Sequence, residues 1–428
     1  MVTVSKRKAV GCHVFAGGFS GGFQKHFDVE YHLERHGFGL ETSRRVWGVP
    51  NVIDSHPDDW PKCLDGDVCF ANPRCTSWSC TTAGYGASGH GIHARQCQDT
   101  HDVFNWAMGQ FPIIVLESVN QAYSTGRPLF AEVTQRAVTY GYRVAHVFIN
   151  AATFGNCQQR KRYFYILYPR DKKFNISLPD ISPYYPVLFD AIGGDMDRVT
   201  HPWDRVSDNY DADSYALLRE DDRDAIPRLP TGWGLNTLAQ YDFENCTARQ
   251  KLKWTNRSSN MPFSMHCIYR TSWFRPCPTL QSSSTRLIHP WHDRPLTIGE
   301  LAKIMGWGDK IPVGHDPCHQ LAKGVCPEVG EWIAEQCLSC LNDEWDNTDD
   351  EVKEWTTTYN ARTGLFEGQD SSGMIEKVID VSNYVGQQFS MDRYPKCVQK
   401  QFRRFNVDPI TGKLVRSWKS VPKKGSLL

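Results

Sequence analysis

From Val10 to about Pro169, short apolar runs alternate with longer stretches that mix polar and apolar residues. Parallel strands cannot be joined by a tight turn; the chain has to cross a sheet face between them, usually as a helix. The rhythm therefore predicts an α/β fold on a mostly parallel sheet. The expected strands are residues 12–15, 37–40, 67–71, 113–117, 143–149 and 162–168, with helices over 22–36 and 96–110. Ligands of such sheets bind outside the carboxyl ends of the strands, so the residues that follow each run are the first candidates for chemistry.

The chain has 428 residues, 40% of them hydrophobic, enough for two or three domains. Lys and Arg together number 48 and so do Asp and Glu, so the overall charge is silent on a polyanionic partner. The start MVTVSKRKAV lacks an apolar signal core, and the 15 cysteines are expected as free thiols in a reducing, cytoplasmic setting. Apolar runs such as FPIIVL, from Phe111 to Leu116, fall well short of the roughly 20 residues of a membrane span. Cys337 and Cys340 form a CxxC downstream of Cys318 and His319, but no second CxxC completes a zinc set, and buried thiols with no metal are the expectation.

Residues 171–272 break the pattern: Asp, Arg, Pro and Trp dominate and apolar periodicity is weak, as in an insertion. An ordered block follows over 273–340, with a helix over 297–305 opened by Thr297 and Glu300 at capping-box spacing. The block is expected to return to the first domain, residues 1–170. The last stretch, 341–428, begins acidic (NDEWDNTDDEVKEW) and ends basic (KQFRRF, KSVPKKGSLL). Its basic end fits a solvated tail or a DNA contact.

Four short segments carry candidate chemistry. HVFAGGFSGGF, residues 13–23, is a glycine-rich turn after a strand, where backbone amides can approach a cofactor, although such turns also occur for purely structural reasons. ANPRCTSWS, residues 71–79, places a rigid Pro73 after a strand and presents Cys75, as a nucleophile or as a buried thiol. IIVLESV delivers Glu117 at a strand end, where burial would raise its carboxyl and let it hold a proton; a salt bridge is the alternative. In FGNCQQRKR, Gln158, Arg160 and Arg162 alternate along an extended segment and so share one side.

Taken together and in this order, the four segments resemble the carbon-5 cytosine-specific DNA methyltransferase family, with its Phe-x-Gly cofactor loop, Pro-Cys loop, Glu-Asn-Val strand end and Gln-x-Arg-x-Arg strand. RPCPTLQSSSTRLIHPWHDRPLTIGELAKIMGW, residues 275–307, extends the likeness to the family's Arg-Pro-Ser-Pro-Thr segment and the helix after it. The resemblance implies a Rossmann-like methyltransferase sheet with a smaller target-recognition domain at 171–272, and duplex DNA as partner. It implies that Cys75 adds to the ring of a flipped-out cytosine, with Glu117 on the ring edge and Arg160 and Arg162 on the nucleotide. S-adenosylmethionine would lie against Phe15, Ala16, Gly17, Gly18 and Pro73, with Glu41 on the ribose, Asp54 on the adenine, and Lys323 and Val325 closing over it. Arg74, Ser79 and Gln158 would line the base site, while Trp203, Arg205, Trp233 and Arg249 are DNA-contacting candidates by residue type alone. A transfer-RNA cytosine methyltransferase and a catalytically silent DNA-binding homologue are the alternatives.

The sequence also departs from the family pattern. The cofactor loop is two residues short, Arg74 replaces the second proline of Pro-Pro-Cys, and Ser118 replaces the Asn of Glu-Asn-Val. In QLAKGVCPEVGEWI, residues 320–333, Lys323 takes the Asn position of the family's Gly-Asn-x-Val-Pro segment. An ammonium about 4 Å from a sulfonium costs on the order of 4 kcal/mol at an effective dielectric near 20. A carboxylate on the transferred carbon reverses that sign, so carboxy-S-adenosylmethionine, and a 5-carboxymethylcytosine product, enter as an expectation. The plainer alternative has Lys323 reaching solvent or pairing with Glu328.

Overall fold

The computed structural model describes residues 6–79, 91, 94, 97–174, 176–177, 179, 181–193, 218, 220–248, 251, 268–281, 286–343, 355–360, 365–368, 376–388, 390 and 393. The chain divides into two units. Met1–Gly155, Arg160–Ser182 and Pro312–Val385 form the first; Asn156–Gln159, Pro183–Ile311 and Gly386–Leu428 form the second. The second unit thus reaches Ile311, beyond the boundary at 272 that the sequence suggested, and part of the C-terminal stretch belongs to the first.

The first unit is built on a sheet of β1 (Arg7–Cys12), β2 (Phe27–Glu34), β3 (Asn51–Asp54), β4 (Val68–Ala71), β5 (Ile113–Ser118), β6 (Tyr142–Asn150) and β7 (Lys161–Pro169). Their order is β6-β7-β5-β4-β1-β2-β3; all neighbours are parallel except β7, which runs antiparallel to both β5 and β6. Connections lead from β1 to β2 on one side and later to β4 on the other, so the crevice beyond Cys12 and Ala71 is the topological switch point.

Both faces of the sheet are covered, as the near-continuous apolar strands require. Phe19 and Phe23 of α1 (Gly18–Phe23) pack on Phe70 of β4, the Phe23 ring stacked 4.2 Å from it. On the other face Phe104 of α3 (Gln98–Ala107) and Phe130 of α4 (Arg127–Thr139) meet Tyr165, while its neighbour Phe164 points back to Phe19. The period-two alternation of β7 is thus what sorts the two cores.

Two expected elements are replaced. Residues 22–36 are not a helix but contain β2, because Phe27, Val29, Tyr31 and Leu33 alternate with polar residues at strand period. Residues 37–40 are not a strand: Gly37 and Gly39 adopt φ of 63° and 80°, and α2 (Leu40–Arg45) starts directly after them. The strand expected at 12–15 lies earlier, as Arg7–Cys12, and residues 13–15 are the loop after it; the other four form within a residue of their predicted bounds.

Beyond β6 the sheet continues through β12 (Glu376–Asp380), which pairs with it in parallel, then β10 (Trp355–Asn360) and β11 (Leu365–Gly368), giving ten strands among the described residues. Glu376 is buried, accepts from Thr134 Oγ1 at 3.0 Å and sits 3.3 Å from His146 Nε2. Residues 341–428 therefore are not merely a tail, although their basic end lies outside the described residues.

The second unit has its own core around Ile226, Leu229, Trp233, Leu238, Ile268 and Ile288. Arg270, fully buried, donates to the carbonyls of Ile226, Leu229, His289 and His292 and pairs with Asp293 at 2.5 Å. Strands β8 (Tyr269–Arg270) and β9 (Leu287–Ile288) lie alongside. Trp233 is 3% exposed and thus part of this core, not a base-contacting side chain; Trp203, Arg205 and Arg249 lie outside the described residues. No helix among the described residues is long and apolar enough to cross a membrane.

Candidate active site

The loop after β1 is strained. His13 and Phe15 hold φ of 51° and 50°, a region that non-glycine residues rarely enter and that costs of order 1 kcal/mol or more each. Gly17, at φ 82°, then turns the chain into α1. Gly39 abuts the Phe15–Ala16 peptide, where a Cβ would come within 2.7 Å of backbone atoms, and Ser43 Oγ donates to the Phe15 carbonyl at 3.1 Å. Backbone thus replaces side chains around Phe15, Ala16, Gly17 and Gly18, leaving the Phe15 ring next to Phe38, which also meets His319.

The carboxylate at the end of β2 is Glu34, 1% exposed. Its Oε1 meets His13 Nδ1 at 2.9 Å and accepts from the Arg35 amide; among the described residues its buried Oε2 has no hydrogen-bond partner. Glu41, by contrast, sits in the first turn of α2, about half exposed, and pairs with Arg45 at 2.9 Å. The ribose role expected of Glu41 rested on a second strand ending beside it; that strand ends at Glu34. Asp54 does end β3, its carboxylate against Gly37, where a Cβ would lie 2.6 Å from Oδ2.

Across the switch point, β4 ends at Ala71, and Asn72, Pro73, Arg74 and Cys75 form the facing loop. Glu117 of β5 is 2% exposed. The antiparallel register, Glu117 opposite Phe164, brings Arg162 alongside, with Nε 2.8 Å from Glu117 Oε1. This contact is out of line for a directed hydrogen bond, and Oε1 has no hydrogen-bonded partner among the described residues. Burial pushes the Glu117 carboxyl up, more than Arg162 and Arg160 pull it down. The Cys75 thiol is likewise raised by burial, then by Glu117, against the fields of Arg162, Lys323 and Arg160. Glu117 and Arg162 are thus in contact, and both, together with Arg160 and Lys323, act on the Cys75 thiol.

Several expected contacts go elsewhere. Arg74 forms a two-pronged pair with buried Asp99, at 2.5 and 3.1 Å, so its fork is already engaged. Arg160, 2% exposed, donates through Nη2 to the carbonyls of Ala322 and Gly324, both at 2.8 Å, instead of being spread toward a nucleotide. Gln158 is fully buried in the second unit, where it donates to the Ile304 carbonyl and accepts from the Leu280 amide at 3.0 Å; packing leaves it no face for a base. Ser79 is half-buried, Pro73 and Val325 are buried, and Cys337 and Cys340 are buried free thiols.

Lys323 is the last residue of the helix Pro317–Lys323. Its Nζ lies 5.2 Å from the centre of the Phe15 ring. Burial lowers its ammonium, as does Arg74, while Cys75, Glu34 and Asp99 act the other way. Among the described residues no carboxylate is within ion-pair distance of it. Glu328, the partner that the sequence offered, is raised to about 7 by burial and by Glu331, with no contribution from Lys323.

The C-5 cytosine-specific DNA methylase profile matches residues 16–339, three quarters of the chain and both sides of this crevice. The protein belongs to that family. Its fold is similar to that of a candidate DNA modification methyltransferase encoded within an E. coli prophage (17% identity, TM-score 0.55, covering 79% of this chain and 100% of that one). It is also similar to the Entamoeba histolytica methyltransferase EhMeth (11% identity, TM-score 0.54, covering 79% of this chain and 99% of that one). No curated protein matches it.

Glu34, buried at the end of β2, is not among the residues the sequence of this cytosine methylase singled out. Its signal lies in FDVEYHLE, whose alternation ends on an acid but whose length also suits a helix. The glycine cradle, the unpartnered Glu34 oxygen and the strand-end Asp54 together fit an adenosyl group.

Proposed function

We propose that this cytosine methylase homologue is an active DNA cytosine carbon-5 transferase working through a covalent bond from Cys75. The supporting observation is that Glu117 and Arg162 meet where the carboxyl end of β5 lies against the amino end of the antiparallel β7, with Cys75 on the loop after β4 in the field of both.

Cytosine carbon-5 is a weak nucleophile until a thiolate adds to carbon-6. Arg162 and Lys323 favour the Cys75 thiolate, opposing its burial. Glu117, whose carboxyl burial raises, donates a proton to ring nitrogen-3 as the thiolate adds, so the electron pair collects at carbon-5. An S-adenosylmethionine-type sulfonium, when bound, supplies the electrophilic carbon. Transfer of the carbon-5 proton to a water molecule, return of the nitrogen-3 proton to the Glu117 carboxylate and departure of the Cys75 sulfur as thiolate then restore the ring. Glu34 would hold the ribose hydroxyls through its free oxygen, and Asp54 the adenine edge. The base has to leave the duplex to meet Cys75, at about a few kcal/mol. The second unit is the candidate target-recognition domain; a cavity of about 530 Å³ there, bordered by Tyr185, Tyr269, Phe274 and Arg275, offers rings and a cation to a nucleic-acid strand.

A second reading concerns the transferred group. Lys323 has no acidic partner among the described residues and lies over Phe15, beside Cys75, where a carboxylate on the transferred carbon would pair with it. This favours carboxy-S-adenosylmethionine and a carboxymethylated product.

One experiment addresses both readings. Duplex DNA containing 5-fluorocytosine should trap a covalent adduct with wild type and none with Cys75→Ser; tight binding without trapping by wild type would instead mark a silent reader. With ordinary duplex DNA and both cofactors, mass spectrometry of the nucleosides should show carboxymethyl transfer that Lys323→Asn shifts toward methyl. Preferential methylation unchanged by that substitution would remove the second reading. Transfer RNA as a parallel substrate should stay unmodified.

A further inference from the structure

A lysine side chain has four rotatable bonds, so a specific ammonium position needs a fixed backbone and a surface for the head to rest on. Lys323 has both. It stands at the carboxyl end of its helix, where the last carbonyls lack intrahelical partners. Those of Ala322 and Gly324 are taken by one nitrogen of Arg160, at 2.8 Å each, and that of Lys323 itself by Asn72 Nδ2 at 3.2 Å. Arg160 is buried and, even lowered to about 10 by burial and by Arg162, stays charged at neutral pH, which also suits the negative end of a helix. The Phe15 ring, turned by its left-handed backbone, supplies the resting surface.

We infer that Arg160 and Asn72 are positioning residues for cofactor discrimination: by clamping three successive carbonyls they hold the Lys323 ammonium where it distinguishes a carboxylated sulfonium from an unmodified one. The inference rests on the carboxylate reading above. Asn72 immediately precedes the Pro-Cys loop, so the same clamp joins the nucleophile's loop to the discriminating residue.

The test measures dissociation constants for carboxy-S-adenosylmethionine and for S-adenosylmethionine by calorimetry without DNA, alongside kcat and KM for each. Asn72→Ala should weaken only the carboxylated cofactor, lowering the preference about ten- to hundredfold. In a Lys323→Asn background the same change should leave the preference ratio untouched. Arg160→Lys, which keeps a cation and a donor, should retain more of the preference than Arg160→Met. Asn72→Ser serves if the alanine variant folds poorly. A parallel fall in both affinities, or an unchanged ratio in the Asn72 and Arg160 variants while Lys323→Asn shifts it, overturns the positioning role alone. A ratio that Lys323→Asn does not alter overturns the carboxylate reading and this inference with it, leaving the Cys75 chemistry standing.

Discussion

Glu117 is the residue on which the proton accounting turns. Its folded pKa is raised, mainly by burial, so it keeps its proton to higher pH than a free carboxyl and loses it as pH climbs through the raised value. The Cys75 thiol, also raised, gains nucleophilicity over the same climb. Single-turnover rates should therefore rise and then fall with pH, and Glu117→Gln should lower them about 10²- to 10⁴-fold and abolish the alkaline limb. A glutamine variant retaining that limb would assign it to another group. Cys75 and Glu117 could be proposed from sequence because one follows a rigid proline at a strand end and the other stands near the end of β5, and Arg162 because it alternates with Arg160 at the start of β7. The partners of Arg74 and Arg160 were not legible, because a polar side chain's type does not reveal whether a buried backbone group or carboxylate claims it, as Asp99 and the carbonyls of Ala322 and Gly324 do here.

At the scale of elements, apolar runs bounded by turn residues marked β4 to β7 correctly, whereas β2 was hidden because its alternate positions carry charge and its length also suits a helix. The helix Ile298–Ile304 was announced by its own cap. Thr297 Oγ1 accepts from the Glu300 amide and Glu300 Oε2 accepts from the Thr297 amide at 2.8 Å, while Arg294 grips both Glu300 oxygens. Burial acts to raise the Glu300 carboxyl, but these bonds outweigh it and hold it at about 2, below its ordinary 4.5. A depressed carboxyl stabilises the fold above its unfolded pKa and loses that contribution as pH falls toward the folded one, here on the order of 3 kcal/mol. Urea unfolding followed by the fluorescence of Trp233 and its neighbours should show this loss between about pH 5 and pH 2. In Glu300→Gln that part of the acid dependence should vanish, and an unaltered slope would mean that the cap is not coupled to the unit's stability.

Across the whole molecule, sequence rhythm identified one large sheet, but could not say that the stretch after residue 343 rejoins it, since charged, low-periodicity sequence gave no reason to pair with β6. The reason is tertiary: β6 would otherwise be the sheet's edge, and β12 satisfies its open backbone groups over five residue pairs from Glu376–Val144 to Asp380–Phe148. The match is fixed by side chains as well, with Glu376 accepting from Thr134 in the buried layer and Ile379 fully enclosed. If β12 is as much a part of the core as β5, removing three carbons from it should be felt equally. Ile379→Ala is then expected to cost about 2–5 kcal/mol, the range for a buried Ile, and to match Ile114→Ala in β5 within experimental spread. Denaturant midpoints of the two variants provide the comparison. A loss below about 1 kcal/mol at Ile379, with the full loss at Ile114, would show that β12 docks on the sheet without joining its cooperative core.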